Sequence, residues 1–371
     1  MIRMDRVRKV QERMKAQNID AYMILTHDDY TYLFGEDRSQ PRAIIPAEGQ
    51  PLIVTFKAEE KEIKEMMQAH DVRIMSSVGE QIKDVVGVMK TLKGDREHIT
   101  VGVQMWFSTP AFLLNMFQKA NPFIKIANIA SVMDELRMVK DNEELEIMKR
   151  AGEIADIGME AAAKALRPGV TENEVAAEAE YAMRKAGGGR TQTPVFVNSG
   201  YRSCWLHGGA TDKVIAEGEI VLIDLVPTYK GYCSNLCRTF VVGTPTAKQQ
   251  ELFDLYLKVQ GTGIHSLKPG NKMRDIDAQT RKVIEDAGFG EYYVAGISHS
   301  IGLGFEETPA PTIHPADSAI EIREGMTMTV GHTVLAVPEV GGVRIEDTFA
   351  IGKDNAVPLT RFPKTFRLPA S

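Results

Sequence analysis

Short apolar runs alternate with polar, helix-patterned stretches over the first 135 residues of the chain. A helix that ends near Gln17 precedes the first run, and helical spacing returns between and after the later runs. This alternation predicts an α/β N-terminal domain over residues 1–135. The predicted strands are 20–26, 42–45, 51–56, 72–75 and 100–103, and the later predicted helices are 57–70, 79–92 and 110–119.

A long amphipathic helix then begins near Asp141 and marks a change in the pattern. Asp141 and Glu144 have the spacing of a capping box, which is typical of a helix start. We therefore place a domain boundary within residues 131–141 and predict a second domain over residues 136–371. The apolar positions of this helix recur at helical spacing at Leu145, Met148, Ile154 and Ile157.

The second domain contains an internal repeat. Residues 165–187 and 266–288 align without a gap, and each copy carries a Pro-Gly turn, an amphipathic helix and a final Ala-Gly pair. A solenoid needs more than two copies, so the repeat favours a pseudo-twofold α+β domain in which two helix pairs cover a sheet. We expect a ligand site where the two halves meet.

Composition narrows the functional class. A chain of 371 residues with 43% hydrophobic residues suits two globular domains. A net charge of −6 without a long basic run argues against nucleic acid as a partner. The sequence offers no apolar stretch of about 18 to 20 residues for a membrane span, and its N-terminus lacks the apolar core of a signal peptide. With three cysteines, an odd number, it predicts a cytoplasmic protein without disulfides.

The first candidate for chemistry is Asp224, which ends an apolar run within the hairpin-patterned segment 219–242. A carboxylate in such surroundings requires a cation, a metal ion or several hydrogen-bond donors. Backbone amides at a strand end could serve equally well, so this segment alone leaves both interpretations open.

Three further candidates are, like Asp224, side chains that can bind a metal ion and lie in strand-patterned or glycine-rich segments. His299 lies in the glycine-rich segment 296–304, His207 lies in a second glycine-punctuated segment, and Glu346 follows a glycine pair in a strand-patterned segment. Mixed carboxylate and imidazole ligands suit Mn, Fe, Co or Zn. His265, by contrast, has no acidic or glycine-rich neighbours and is predicted to be structural.

These segments resemble one known family. The second domain is similar to the pita-bread fold of Xaa-Pro dipeptidase (prolidase), aminopeptidase P, methionine aminopeptidase and creatinase, and the whole chain resembles the prolidase, aminopeptidase P and creatinase branch. The resemblance implies a creatinase/aminopeptidase-like α+β domain, a small-molecule or dipeptide substrate and a homodimer. The matching segments are MVKDNEELEIMKRA, NSGYRSCWLHGG, GEIVLIDL, YCSNLCRTF, SHSIGLGFEETP, EGMTMTVGHTVL and GGVRIEDT.

The metallopeptidases of this family hold two divalent ions with two Asp, one His and two Glu, and the ions activate a water. The resemblance implies that Asp224, His299 and Glu346 are metal ligands. It also implies that His207 lies near the substrate, as the catalytic base does in creatinase, and that Arg344 lies next to the last ligand.

Three positions depart from the family pattern. Asn235 stands where the bridging Asp is expected, Gly331 replaces a Glu ligand, and Glu306, followed by Glu307, replaces the His of a His-Glu pair. An amide brings no charge to a metal and glycine brings no ligand. We therefore expect a reduced site that holds either one divalent ion or none.

Two side-chain sets could replace the lost ligands. His332 follows Gly331 and would face the site only if the strand carries a bulge, because a one-residue shift otherwise reverses the side chain. Cys233 and Cys237 share a strand face with Asn235 and could bind a soft metal. We favour the interpretation that both thiols are small apolar core groups.

Three functions remain open at this point. The first is hydrolysis of a C–N bond in the manner of Xaa-Pro dipeptidase, with one metal ion. The second is a metal-independent, creatinase-like hydrolase or lyase of a small polar metabolite, with His207 as the base and Glu306, Glu307 and Glu346 around a cationic group. The sequence His299-Ser300 resembles creatinase here. The third is a non-catalytic binding protein with a vestigial cleft. We favour the first.

Overall fold

The computed structural model describes residues 2–36, 43–67, 71–106, 109–294 and 296–367. Positions 42 and 68–70 of the predicted elements lie outside the described residues. The chain divides into two compact units, Met1–Arg137 and Met138–Ser371. Within the described ranges, no helix is both long and apolar enough to cross a membrane.

The first unit is a mixed sheet with helices. Among its described residues, six strands lie in the order β4-β3-β2-β1-β5-β6, and β2 runs antiparallel to both of its neighbours. The predicted α/β domain is confirmed, with one further strand, β6. The elements are α1 Met4–Ala16, β1 Ala21–Ile24, α2 His27–Phe34, β2 Ala43–Pro46, β3 Leu52–Phe56, α3 Glu60–Met67, β4 Asp71–Met75, α4 Val78–Lys93, β5 Ile99–Val103, α5 Ala111–Ala120, β6 Ile124–Asn128 and α6 Ala130–Met138.

The second unit has the predicted α+β architecture with two similar halves. Helices α7 and α8 belong to the first half, and α9 and α10 belong to the second. The elements are α7 Asn142–Ala165, α8 Glu172–Lys185, β7 Phe196–Ser199, β8 Ile220–Leu225, β9 Thr228–Tyr229, β10 Tyr232–Cys233, β11 Leu236–Val241, α9 Ala247–Ser266, α10 Met273–Asp286, β12 Thr327–Val330, β13 Leu335–Val337, β14 Gly341–Val343, β15 Asp347–Ile351 and β16 Ala356–Pro358.

The local sequence explains why each half forms its helix pair. Asp141 and Glu144 form the predicted capping box at the start of α7. The Pro-Gly turns before α8 and α10 place Gly169 and Gly270 at φ values of +89° and +93°, a backbone conformation that favours glycine. The predicted repeat is thus confirmed in the structure.

Each half packs its two helices on a separate sheet, and the two sheets meet where β11 contacts the residue before β15. The first half packs α7 and α8 on the sheet β11-β8-β7, and the second packs α9 and α10 on β12-β15-β16. Cys237 N donates to Glu346 O at 3.0 Å, and Glu346 N donates back to Cys237 O at 3.1 Å. These two bonds connect β11 to the residue that precedes β15, so residues at the inner strand ends of both halves come together.

The close packing of α7 gives a test of this core. A Cβ atom on Gly152 would lie 2.1 Å from Leu359 O, whereas one on Gly261, within α9, would have no neighbour within 4 Å. We expect Gly152→Ala to lower the free energy of unfolding by about 1 to 3 kcal/mol through overpacking. Gly261→Ala should raise it by about 0.5 to 1 kcal/mol, because alanine favours a helix. Urea unfolding of both variants measures the two changes in the free energy of unfolding. If both substitutions change it in the same direction, Gly152 is not closely packed against Leu359.

Candidate metal centre

The candidate site lies where strand ends of both halves of the second unit meet. Asp224 is the penultimate residue of β8, and Asn235 directly precedes β11. Glu346 directly precedes β15, while His332 follows the end of β12 by two residues. His299 O accepts a hydrogen bond from Thr329 N at 2.8 Å, which places this histidine beside β12.

A buried guanidinium ties two of the carboxylates together. Arg344 Nη2 donates to Asp224 Oδ2 at 2.8 Å and to Glu346 Oε2 at 2.8 Å, and Arg344 Nε donates to the same glutamate oxygen at 3.1 Å. All three side chains are at most 1% exposed. Burial opposes the charge of Glu346, but Arg344 and His332 together outweigh burial and hold the pKa of Glu346 well below its usual range. Burial raises the pKa of Asp224, which shares the same guanidinium.

Asn235 supplies the remaining donor that Asp224 needs. Its Nδ2 donates to Asp224 Oδ1 at 2.6 Å and to Leu225 O at 3.3 Å. With Arg344 on the other oxygen, both oxygens of Asp224 are satisfied by protein donors. A carboxylate in place of Asn235 would instead need a cation between two negative charges. The Asn235 amide and the Arg344 guanidinium therefore bind the two Asp224 oxygens that would otherwise be available to a metal ion.

A bulge after β12 turns His332 toward the site. Gly331 N and His332 N both donate to Ile297 O, at 2.8 and 3.1 Å, which is the two-against-one pairing of a β-bulge. Gly331 has a φ of +119°, and a Cβ atom there would lie 1.8 Å from Ile345 O. The position that carries a glutamate in the family pattern thus requires glycine in this chain, and the next residue provides the side chain.

Three buried ligand-type atoms converge beside this bulge. Glu346 Oε1 lies 3.6 Å from His332 Nδ1 and 3.7 Å from His299 Nε2. None of these three atoms has a hydrogen-bond partner among the described residues. Glu306 Oε1 lies 3.2 Å from His332 Nε2, and one ligand atom from each of His299, Glu306 and His332 lies within 4.8 Å of the others. This donor set fits a single metal ion.

The protonation of the two histidines differs. His299 Nδ1 lies 2.9 Å from Ser300 O, and because a carbonyl only accepts, Nδ1 must donate and Nε2 carries a lone pair. Burial, followed by the charge of His332, lowers the pKa of His299 to about 4. Burial also opposes the charge of His332, yet Glu306 and Glu346 raise its pKa to about 9. His299 is therefore neutral and suited to bind a metal ion. His332 is an imidazolium between two carboxylates and must release a proton before it can bind one.

The remaining predicted residues occupy different surroundings. The exposed His207 ring lies 6.4 Å from the His332 ring, centre to centre. Its pKa is lowered by partial burial and then by His332 and Arg344. Glu306 lies in the site, and although burial opposes its charge, His332 and His299 lower its pKa to about 2.

Glu307 takes a structural position. Its Oε1 accepts from Lys140 Nζ at 2.8 Å, and its Oε2 accepts from Gly304 N at 3.2 Å. Both side chains of the Lys140 ion pair are nearly buried. The pair therefore fixes the 302–307 segment, which carries Glu306. Lys140 was missed in the sequence because it lies far along the chain from its partner.

The two thiols contact backbone carbonyls. Cys233 Sγ lies 3.1 Å from Gly302 O, and Cys237 Sγ lies 3.7 Å from Arg344 O. Burial raises the pKa of Cys237 well above its usual range. A protonated, buried thiol is a poor metal ligand. These contacts agree with the interpretation that the thiols are core groups. Phe305, whose ring lies 5.3 Å from that of His299, was not identified from the sequence.

Replacement of Gly331 tests the bulge. Gly331→Ala carries both the strain of a left-handed backbone, about 1 to 2 kcal/mol, and an overpacking cost of about 1 to 3 kcal/mol against Ile345. Gly270→Ala is the matched control, because Gly270 has a φ of +93° but open space around its Cβ position. Urea unfolding should show a larger loss of stability for Gly331→Ala. Equal losses would mean that Ile345 does not restrict this position.

Comparison with known proteins is consistent with this geometry. A chain of Pyrococcus horikoshii described as an Xaa-Pro dipeptidase is 32% identical over 358 residues, which are 96% of this chain and 97% of that one. The crystal structure of the prolidase from Pyrococcus horikoshii OT3 aligns with a TM-score of 0.87 at 30% identity, over 98% of this chain and 99% of that chain. An Xaa-Pro dipeptidase from Bacillus anthracis aligns with a TM-score of 0.87 at 28% identity, over 98% and 99% of the two chains.

Two family models match the two parts of the chain. The Creatinase/Prolidase N-terminal domain matches residues 6–139. Metallopeptidase family M24 matches residues 146–353, which is more than half of the chain and contains His207, Asp224, Asn235 and all the ligand-type side chains from His299 to Glu346. The predicted family and pita-bread fold are therefore confirmed, and the chain is a hydrolase that belongs to metallopeptidase family M24.

Proposed function

We propose that this protein hydrolyses the C–N bond of Xaa-Pro dipeptides with a single divalent metal ion. The observation that carries the proposal is the convergence of His299 Nε2, His332 Nδ1 and Glu346 Oε1, three buried atoms without a partner among the described residues. Such groups are costly to bury unless a ligand binds them. The relatives described as Xaa-Pro dipeptidases support the choice of substrate.

The proposed metal ligands are His299, His332 and Glu346, and His332 would bind through Nδ1. Two imidazoles with carboxylates suit Mn, Fe, Co or Zn. A bound ion of this kind polarises a carbonyl and lowers the pKa of a water. Glu306 supports these ligands, because it faces His332 Nε2 at 3.2 Å and orients that ring.

Arg344 provides the second positive centre of the proposed site. Its guanidinium neutralises Asp224 and one oxygen of Glu346, and this leaves the other glutamate oxygen directed at the two histidines. Because Asn235 satisfies the rest of Asp224, these two carboxylates need no second ion between them. This arrangement supports a site with one metal ion in place of the two expected from the family pattern.

His207 is the proposed proton carrier. It is exposed, close to His332, and its lowered pKa keeps the ring neutral near pH 7. A neutral imidazole at the edge of the site can accept a proton from the attacking water and return it to the leaving nitrogen of the dipeptide. Phe305 packs the edge of its ring against that of His299.

Metal analysis tests the proposed centre. Protein purified without added ions should contain about one equivalent of Mn, Fe, Co or Zn, because one set of converging ligand atoms lacks partners among the described residues. His332→Ala should lower this content at least about tenfold. His265→Ala, which changes an exposed histidine on α9, is the control and should retain the metal. Two equivalents in the wild type would refute the single-ion site.

Turnover tests the proposed reaction. With the metal present, the protein should hydrolyse members of a panel of Xaa-Pro dipeptides. His207→Ala should lower kcat by about 10²- to 10⁴-fold through loss of proton transfer, while its metal content stays unchanged.

The same panel distinguishes the other functions. Turnover of guanidino or amidine compounds by metal-free protein, without dipeptide hydrolysis, would support the creatinase-like hypothesis instead. No turnover of either class would favour a binding protein. His265→Ala again serves as the matched control for the loss of a histidine.

A further inference from the structure

A cleft of about 450 Å³ lies in the Met138–Ser371 unit. One face of α10 forms one wall, and the segments 296–298 and 311–318 form the others. The helix contributes Arg274, Asp277 and Arg281, whose spacing places them on one face. The side chains of the candidate metal centre do not line this cleft, so it is a separate site.

The cleft offers positive charge that the protein does not neutralise. Arg274 is exposed and has no hydrogen bond or ion pair with any described residue. Arg281 stacks on the Tyr293 ring at 4.3 Å and lies 3.8 Å from the Glu285 carboxylate. A guanidinium without a partner at the rim of a cleft suits a carboxylate or another planar anion.

A buried hydroxyl lies at the same cleft. Ser298 is 4% exposed and lines the cleft, and its Oγ has no hydrogen-bond partner in the described part of the chain. Buried hydroxyl groups are seldom left without a partner. A polar group of a bound molecule would provide one.

The cleft also contains a fixed negative charge. Asp277 Oδ1 accepts from Gly296 N at 2.9 Å and from the Tyr293 hydroxyl. Asp277 Oδ2 has no donor among the described residues. The carboxylate is thus held in place by one oxygen, while the other can accept a hydrogen bond from an ammonium group.

We propose that this cleft binds a free α-amino acid. The amino-acid carboxylate pairs with Arg274 and accepts from the Ser298 hydroxyl, and the ammonium group donates to Asp277 Oδ2. A simple anion would interact only with Arg274 and Ser298 and would leave Asp277 Oδ2 without a partner. The choice of an amino acid as the natural ligand rests on the proposed function, because dipeptide hydrolysis releases free amino acids.

The position of the cleft couples it to the metal centre. Ser298 lies between Ile297, whose carbonyl accepts from both Gly331 N and His332 N, and His299, whose carbonyl accepts from Thr329 N. A ligand that binds the Ser298 hydroxyl therefore acts on the short segment that positions both histidines of the site. Binding in the cleft should change turnover without blocking access of the substrate.

Calorimetric titration with L-proline tests the site on the full-length protein. Arg274→Ala and Asp277→Asn should each weaken binding in the cleft by about tenfold or more, because each removes a charge-assisted bond. Lys282→Ala is the matched control, since Lys282 lies on the same helix, pairs with Asp286 and does not line the cleft. An equal affinity for acetate would overturn the amino-acid assignment, and unchanged binding in both cleft variants would overturn the site.

Inhibition kinetics test the coupling. L-proline should inhibit dipeptide hydrolysis with a noncompetitive component that Lys282→Ala retains and Arg274→Ala loses. Purely competitive inhibition in the wild type would overturn the coupling. Because the titrations need no turnover, they test the cleft even if the protein does not hydrolyse Xaa-Pro dipeptides, so the two proposals fail separately.

Discussion

The buried guanidinium of Arg344 is the interaction on which the candidate site depends. It joins Asp224 from the first half of the second unit to Glu346 from the second half, with all three side chains at most 1% exposed. Removal of one member of such a buried network typically costs about 3 to 5 kcal/mol, because the remaining charges lose their partner. By holding one oxygen of Glu346, the guanidinium also fixes the direction of the other oxygen toward His299 and His332.

The residues that depart from the family pattern suit one another and the buried Arg344. Asn235 replaces a negative charge with a donor, which suits a site where Arg344 already neutralises Asp224. Gly331 removes a carboxylate, but its left-handed backbone allows the bulge that turns His332 inward. In the proposed site, one ligand is therefore lost and another is gained within two consecutive residues. A single substitution back to the family residue at Gly331 would meet Ile345 and would not restore the original site.

The structure also places two polar sites on one short segment. Ile297 O binds the bulge, Ser298 lines the α10 cleft, and His299 contributes to the candidate metal centre. Alternate residues of an extended segment face opposite sides, so neighbouring side chains can serve different surfaces. Glu307 shows the same principle, since it pairs with Lys140 while the adjacent Glu306 faces His332.

The sequence alone predicted two domains and the pseudo-twofold repeat, because hydrophobic period, capping residues and Pro-Gly turns are local signals. The family followed from the resemblance of whole motif segments, such as SHSIGLGFEETP and GGVRIEDT, to those of known members. The sequence also singled out Asp224, His299 and Glu346 by their strand and glycine settings. Only the tertiary structure decided how His332 and the pair Glu306 and Glu307 are used. The bulge depends on two hydrogen bonds to Ile297 O, which lies far from Gly331 in the sequence. The partner of a carboxylate depends on which cation the fold brings near it. Neither property is encoded in the spacing of neighbouring residues.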